Sequence, residues 1–166
     1  MLDPMSPDTI VNEALVKQAL DLTERSIINL FGNLHPRTTW GPQYLVLVVR
    51  HPSLPIPVIK KYGRTDNWKE EWGAISNTEA IAHWKAEAAQ RENKPTSELT
   101  FMCPWDHNKG DFLYPGGVVS GKLSVGASGL EGFADEIAAN LVLVTIQGLC
   151  KLKREQLRAS KVKLLG

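Results

Sequence analysis

YPGGVVSGKLSVGASG, residues 114–129, carries five glycines in sixteen positions, with valine and leucine between them at strand-like intervals. A dinucleotide fingerprint needs G-x-G-x-x-G between a strand and a helix, and a phosphate loop needs G-x-x-x-x-G-K-[ST]. Neither spacing is present, because Gly121-Lys122 is followed by Leu123. A nucleophile elbow needs G-x-S-x-G, and Gly126-Ala127-Ser128-Gly129-Leu130 lacks the final glycine. The stretch therefore reads as a hairpin. Val118-Val119 and Leu123-Ser124-Val125 are its strands, and Ser120-Gly121 is suited to the tight turn. Glycine inside a strand marks a bulge, or a place where a ligand or another backbone comes close. Gly116-Gly117 enter the hairpin, while Gly126, Ser128 and Gly129 leave it. They form either a shallow floor for a ligand or a seat for a helix, and both readings stay open.

Upstream, Tyr44–Arg50 (YLVLVVR) is almost continuously apolar and β-branched, the pattern of a central strand covered on both faces. Val58–Tyr62 is its hairpin partner, and the prolines before it place it at a sheet edge. Phe101–Cys103 is a further candidate strand. Ser6-Pro7-Asp8 has the marks of a helix start. Ile10, Val11, Leu15, Ala19, Leu22 and Ile27 then recur at helical spacing up to Gly32-Asn33. Trp68 and Trp72, four apart, suggest one short helical turn. Ser76-Asn77-Thr78-Glu79 is a capping box opening a helix with Ile81, Trp84 and Ala88 on its apolar face, which Asn93-Lys94-Pro95 stops. From Phe133 to Leu152 a closing helix of roughly 20 residues is expected. The fold class is α+β: one domain over residues 1–166, with a mostly antiparallel sheet of about five strands and helices packed on it.

The totals narrow the function. Nineteen basic and eighteen acidic residues leave a formal net charge of +1, so a nucleic-acid partner has no electrostatic support. The basic run Lys151, Lys153, Arg154 and Arg158 is broken by Glu155 and reads as a solvated helix end. The N-terminus has no signal-peptide pattern. No window reads as the roughly 18 apolar residues a membrane span requires. Cys103 and Cys150 lie far apart and outside any CxxC pair, which points to reduced thiols, a cytoplasmic setting and no metal site.

Pro115-Gly116-Gly117-Val118, Gly121 and Val125-Gly126-Ala127-Ser128-Gly129, followed by Glu131, Asp135, Glu136, Ala138 and Ala139, form a pattern of their own. So does the earlier Lys85-Ala86-Glu87-Ala88-Ala89. Together they resemble the signature of the GlcG/HbpS-like family, small haem-binding-type proteins that also occur as the C-terminal module of PduO adenosyltransferases. The resemblance covers roughly residues 10–150. It implies a profilin-like α/β/α arrangement, a small ligand of planar or acidic character such as haem, and a homo-oligomer with ligand sites near subunit contacts. The chain departs from the family where V-x-D-x-x-G would follow the first strand and instead has Arg50-His51-Pro52-Ser53-Leu54-Pro55. Its first helix holds no histidine, so a haem ligand there does not carry over.

Four histidines are candidates for chemistry. His35 precedes proline in a loop and His83 sits beside Trp84 on a helix; both read as surface residues. His51 ends the central strand next to Arg50, and His107 lies in the polar loop before the glycines. Either suits acid/base work near neutral pH or axial ligation of haem iron. Lys85, on a matched family position, can bind a carboxylate or form a Schiff base. Five tryptophans suit core packing or a flat apolar ligand. Three functions are expected in this order: a small-molecule-binding protein; a lyase or isomerase moving protons with Arg50, His51, Lys85 and His107; and an assembly protein.

Overall fold

The computed structural model describes residues 10–33, 44–63, 74–106, 114–130 and 132–164. The Ser6 helix start and the Trp68–Trp72 turn lie outside them, as do His35 and His107. Helix α1 (Glu13–Asn33) precedes strands β1 (Tyr44–Arg50) and β2 (Val58–Gly63). Helix α2 (Ala74–Glu92), a short α3 (Thr96–Phe101) and a 3₁₀ turn (Pro104–Asp106) follow. Strands β3 (Gly117–Ser120) and β4 (Leu123–Ser128) lead into a long closing helix α4 (Gly132–Leu164). The sheet is antiparallel, in the order β2-β1-β4-β3.

The expected fifth strand is a helix. Phe101 closes α3, and Leu99 N–H to Pro95 C=O (3.1 Å) with Met102 N–H to Glu98 C=O (2.8 Å) satisfy the backbone locally. Three apolar residues are too few to carry a period of two, and the turn following Pro95 decides the matter. The two-residue hairpin turn lies one position later than expected, at Gly121-Lys122 between the paired Ser120 and Leu123. Gly121 supplies the positive φ (+57°) that a first turn position requires.

β1 is the central strand, as its sequence predicts, and Leu45 through Val49 are fully buried. Its odd-numbered side chains, Leu45, Leu47 and Val49, share one core with Val125 and Ala127 of β4, Val16 and Ile27 of α1, and Ala138, Val142 and Ile146 of α4. Val46 and Val48 face the other way and meet Ala82 of α2. The result is three layers, with α1 and α4 on one side of the sheet and α2 on the other. The buried stripe of α1 is Val16, Ala19, Leu20, Thr23 and Ile27, whereas Leu22 is exposed. Residues 11 and 12 are not helical. Asn12 caps the new start, its Oδ1 accepting Leu15 N–H at 2.9 Å.

α2 begins at Ala74, two residues before the expected cap, and its buried residues are Thr78, Ala82, Lys85, Ala86, Ala89 and, as expected, Ala88. Trp84, expected on that face, is 43% exposed. The helix ends where Asn93-Lys94-Pro95 predicts. Asn93 takes φ +51° and Lys94 N–H reaches back to Ala89 C=O (3.1 Å), a left-handed cap. α2 runs parallel to β1: Thr78 Oγ1 donates to Tyr44 Oη (3.3 Å) at one end, and Gln90 Nε2 donates to Lys122 C=O (2.9 Å) at the other.

α4 has 33 residues rather than about 20. At 1.5 Å per residue it is about 50 Å long, against about 23 Å for a seven-residue strand. Its first half is buried at Ala134, Asp135, Ala138, Ala139, Val142, Leu143 and Ile146, while most residues from 151 to 161 are exposed. Contrary to the reading above, an 18-residue window within Gly132–Lys161, with a mean hydropathy of 1.4, is long and apolar enough to cross a membrane by length and composition. Core helices pass the same test, and the buried stripe of α4 covers the sheet.

Candidate functional site

The expected site residues fall at opposite ends of the sheet. Register fixes this: Val46 pairs with Ser128 at one end of β1 and Arg50 with Ser124 at the other. The glycines and Ser128 belong to the first end, and Arg50 and His51 to the second.

At the first end the sequence supplies small residues on the α2 side of β4 and β3. Gly126 and Gly117 are a cross-strand pair. A Cβ on Gly126 would collide with the Ala82 carbonyl and lie 2.9 Å from Ala86 N, and one on Gly117 would collide with the Lys85 carbonyl. The same added carbon on Gly116 (φ +130°) would lie 2.6 Å from Ala127 O and 2.8 Å from Lys85 Nζ. Gly129 (φ +131°) abuts the Tyr44 carbonyl. The shallow floor is thus filled by the backbone of α2 and β1. Of the two readings of the glycines, the seat for a helix describes this end.

Lys85 lies at that seat. Its side chain is 3% exposed, and Nζ donates to Ala127 C=O and to Asp135 Oδ2, both at 3.0 Å. Asp135 Oδ1 accepts Leu130 N–H at 2.9 Å. Burial pushes the Asp135 carboxyl up to about 6, against the opposing pull of the Lys85 ammonium and the Leu130 N–H. With both its acceptors protein atoms and its amine enclosed, Lys85 joins α2, β4 and α4 rather than meeting a substrate.

The second end is open. Arg50 pairs with Glu87 of α2 through Nη1 and Oε1 (2.5 Å). His51, one residue on, is 7% exposed. Its Nδ1 lies 2.6 Å from Ser53 Oγ, which donates to the Val11 carbonyl at 2.6 Å. The Ser53 backbone N–H reaches the same Nδ1 at 3.2 Å, so Ser53 holds the ring through both its hydroxyl and its backbone. His51 lines two cavities. One, of about 480 Å³, is bounded by the β3–β4 turn and the middle of α4, with Lys122, Leu123, Cys150, Lys151 and Arg154 on its wall. The other, of about 240 Å³, includes Arg50, Pro52 and Gln90. None of Gly116, Gly117, Gly126, Ser128, Gly129 or Lys85 lines either cavity.

The α4 contribution was not anticipated, although its signal is present. Gln147, Cys150, Lys151 and Arg154 are spaced i, i+3, i+4, i+7 and therefore share one helix face. His83 is half-buried; burial, then the Arg50 charge, draws its pKa below the usual imidazole value. Trp84 and Trp105, the described tryptophans, are exposed and line neither cavity. Among the described residues no group of three or more His, Cys, Asp or Glu side chains is placed to hold a metal.

Three layers around a four-stranded antiparallel sheet, with a cavity at the far end of the central strand, define the class. No family model and no curated protein matches the chain. Among solved structures it is similar to the crystal structure of the Klebsiella pneumoniae protein ORFY, described under the family name DUF336, the GlcG-like family. The TM-score is 0.56 at 15% identity, over 82% of this chain and 90% of that one. A likeness at that identity shows the fold.

Proposed function

We propose that this chain is a GlcG-like small-molecule-binding protein whose ligand occupies the cavity beside His51. The observation that carries the reading is the placement of a deeply set histidine, held by Ser53 and the Val11 carbonyl, on the wall of a cavity of about 480 Å³. Volumes of roughly 300–1,000 Å³ are usual for small-ligand sites. The shared fold supports the family, and the K-A-x-x-A and glycine motifs are the two halves of its α2-on-sheet contact.

Haem, the cofactor that the family resemblance suggests, does not fit these residues. The glycines that would floor a flat macrocycle are filled by α2. No step is drawn through haem.

An enzyme on the same scaffold is the second reading, and the Nδ1–Ser53–Val11 chain favours it. A histidine whose ring is held in one orientation on a cavity wall suits proton transfer next to a carbonyl or carboxylate. Arg50 is tied to Glu87, Lys85 to Asp135, and His107 lies outside the described residues, so His51 carries this reading.

The protein is further proposed to be a cytoplasmic homo-oligomer. Phe133, Ile137, Val144 and Leu152 are exposed along α4 at intervals of four, seven and eight, a stripe that a second copy would cover. Light scattering that returned a monomer of 18.4 kDa would remove this part.

The binding reading is tested by titrating isotopically labelled protein with small carboxylic acids, their amides and hemin. Amide shifts at His51, Leu123 and Cys150 are expected with the small ligands. Shifts confined to the Gly116–Gly129 end would overturn it, and a Soret band lost on His51→Ala would overturn the exclusion of haem.

A further inference from the structure

Resting on the reading that the His51 cavity takes a small ligand, we infer that this ligand is an amphiphilic acid, with its carboxylate gripped by Arg154 and its apolar body against Val11 and Leu123. Three cations, Lys122, Lys151 and Arg154, are among the ten described residues lining the cavity, and none of those ten is an acid. The nearest acid in sequence, Glu155, is turned to Arg158 (3.0 Å). The site therefore attracts anions.

Arg154 gives the sharper signal. Its Nε is buried and has no hydrogen-bond partner among the described residues. An unmet buried donor is costly, and a guanidinium presents Nε–H and Nη–H side by side, in the spacing of two carboxylate oxygens. A carboxylate accepting both would satisfy the orphan once the guanidinium turns Nε toward the cavity. Cys150, one turn before Arg154, does not fill that role. Burial raises its thiol pKa against the Arg154 charge, so it stays neutral and adds to the apolar wall.

The apolar share of the wall selects among anions. Val11 and Leu123 are buried hydrophobic residues of the domain core that also line this cavity. A ligand with only phosphate oxygens leaves them uncovered. An aromatic or short-chain acid covers them, while its head reaches Arg154 and the rim ammoniums of Lys122 and Lys151.

The test uses the full chain and two matched pairs, benzoate with benzamide and hexanoate with hexanamide, followed by amide shifts at millimolar concentration. The acids are expected to bind at least about tenfold more tightly than their amides, and inorganic phosphate more weakly than either acid. Arg154→Gln should remove that tenfold preference; Lys151→Gln should weaken it less, and Arg158→Gln not at all. Amides binding as well as acids, or an Arg154→Gln variant with its preference intact, overturns the inference and leaves the cavity reading standing. No shift at the cavity with any of the four probes overturns both.

Discussion

The two ends of β1 put the same kinds of residue to opposite uses. At the Tyr44 end, Lys85 and Asp135 face each other with almost no solvent access, and bare glycine backbone lets α2 settle against the sheet. At the Arg50 end, cations of comparable length surround an open cavity and one of them keeps a buried nitrogen without a partner. The difference lies in what else is present. Asp135 and the Ala127 carbonyl satisfy Lys85 from within the chain, whereas none of the described residues lining the cavity beside Arg154 is an acid. A charged group that the fold has already satisfied is architecture, and one that it has not is available to a ligand. Lys85 belongs to the first kind and Arg154 to the second.

If that contrast is right, damage at the closed end should cost far more stability than damage at the open end. The largest effect is expected for Lys85→Met, which strands a buried carboxylate. Breaking one side of such a pair costs about 3–5 kcal/mol, and urea denaturation measures it. Pairing Lys85→Met with Asp135→Leu should recover most of the loss; a single-variant cost below about 1 kcal/mol would erase the distinction between the ends. Asp135 also gives the pair a pH signature. Its folded value, about 6, lies above the ordinary 3.8, so the folded chain holds this proton more tightly. The contribution of this group is fully present below about pH 4 and is lost as pH rises to about 6. Subtracting the Asp135→Asn stability curve from that of the parent should leave a fall across this window; a rise would contradict the burial argument.

Gly126→Ala comes next. The new methyl meets the Ala82 carbonyl, which is helix backbone and gives way only if α2 lifts. A cost of about 3 kcal/mol, the upper end of ordinary overpacking, is expected in the same denaturation assay. At the open end, Ser53→Ala removes the link between His51 Nδ1 and the Val11 carbonyl. It should cost about 1–2 kcal/mol and change the His51 ring signals in a pH titration; unchanged signals would mean that the Ser53 hydroxyl does not hold the ring. The smallest effect is expected for Arg50→Ala. Its pair with Glu87 is partly solvated, at 28% and 48% exposure, and pairs of that kind contribute about 0.2–1 kcal/mol. A cost above about 2 kcal/mol would move Arg50 to the architectural side.

Much of the fold was legible in the sequence because its strongest signals are local. The unbroken apolar run of β1 can only be a buried strand or a buried helix, and its β-branched residues and flanking prolines choose the strand. The hairpin turn needed Gly121, and α2 needed Asn93 to stop. Phe101–Cys103 was misread because the helix that ends at Phe101, and the turn after it, are set upstream at Pro95. The site was legible only in part. Gly117 and Gly126 announce a close approach, but which object approaches depends on α2, which begins some 40 residues before β3. Lys85 and Asp135 are 50 positions apart, and no spacing rule connects them. The face formed by Gln147, Cys150, Lys151 and Arg154 was present as a periodicity, but its charges resembled those of any solvated helix end until the β3–β4 turn was placed opposite them.

The length of α4 has a consequence of its own. Roughly half of this helix overhangs the sheet, and a free helical segment of that length holds together only marginally in water. Protection of its amide hydrogens should therefore decline along the axis, from near the global limit at Leu143 to rapid exchange around Arg158. Arg154 stands where the supported part gives way to the unsupported part. An acid bound there would tie the overhang back to the β3–β4 turn and carry slow exchange further along the helix, so occupancy of the cavity would be readable at its most distant residues.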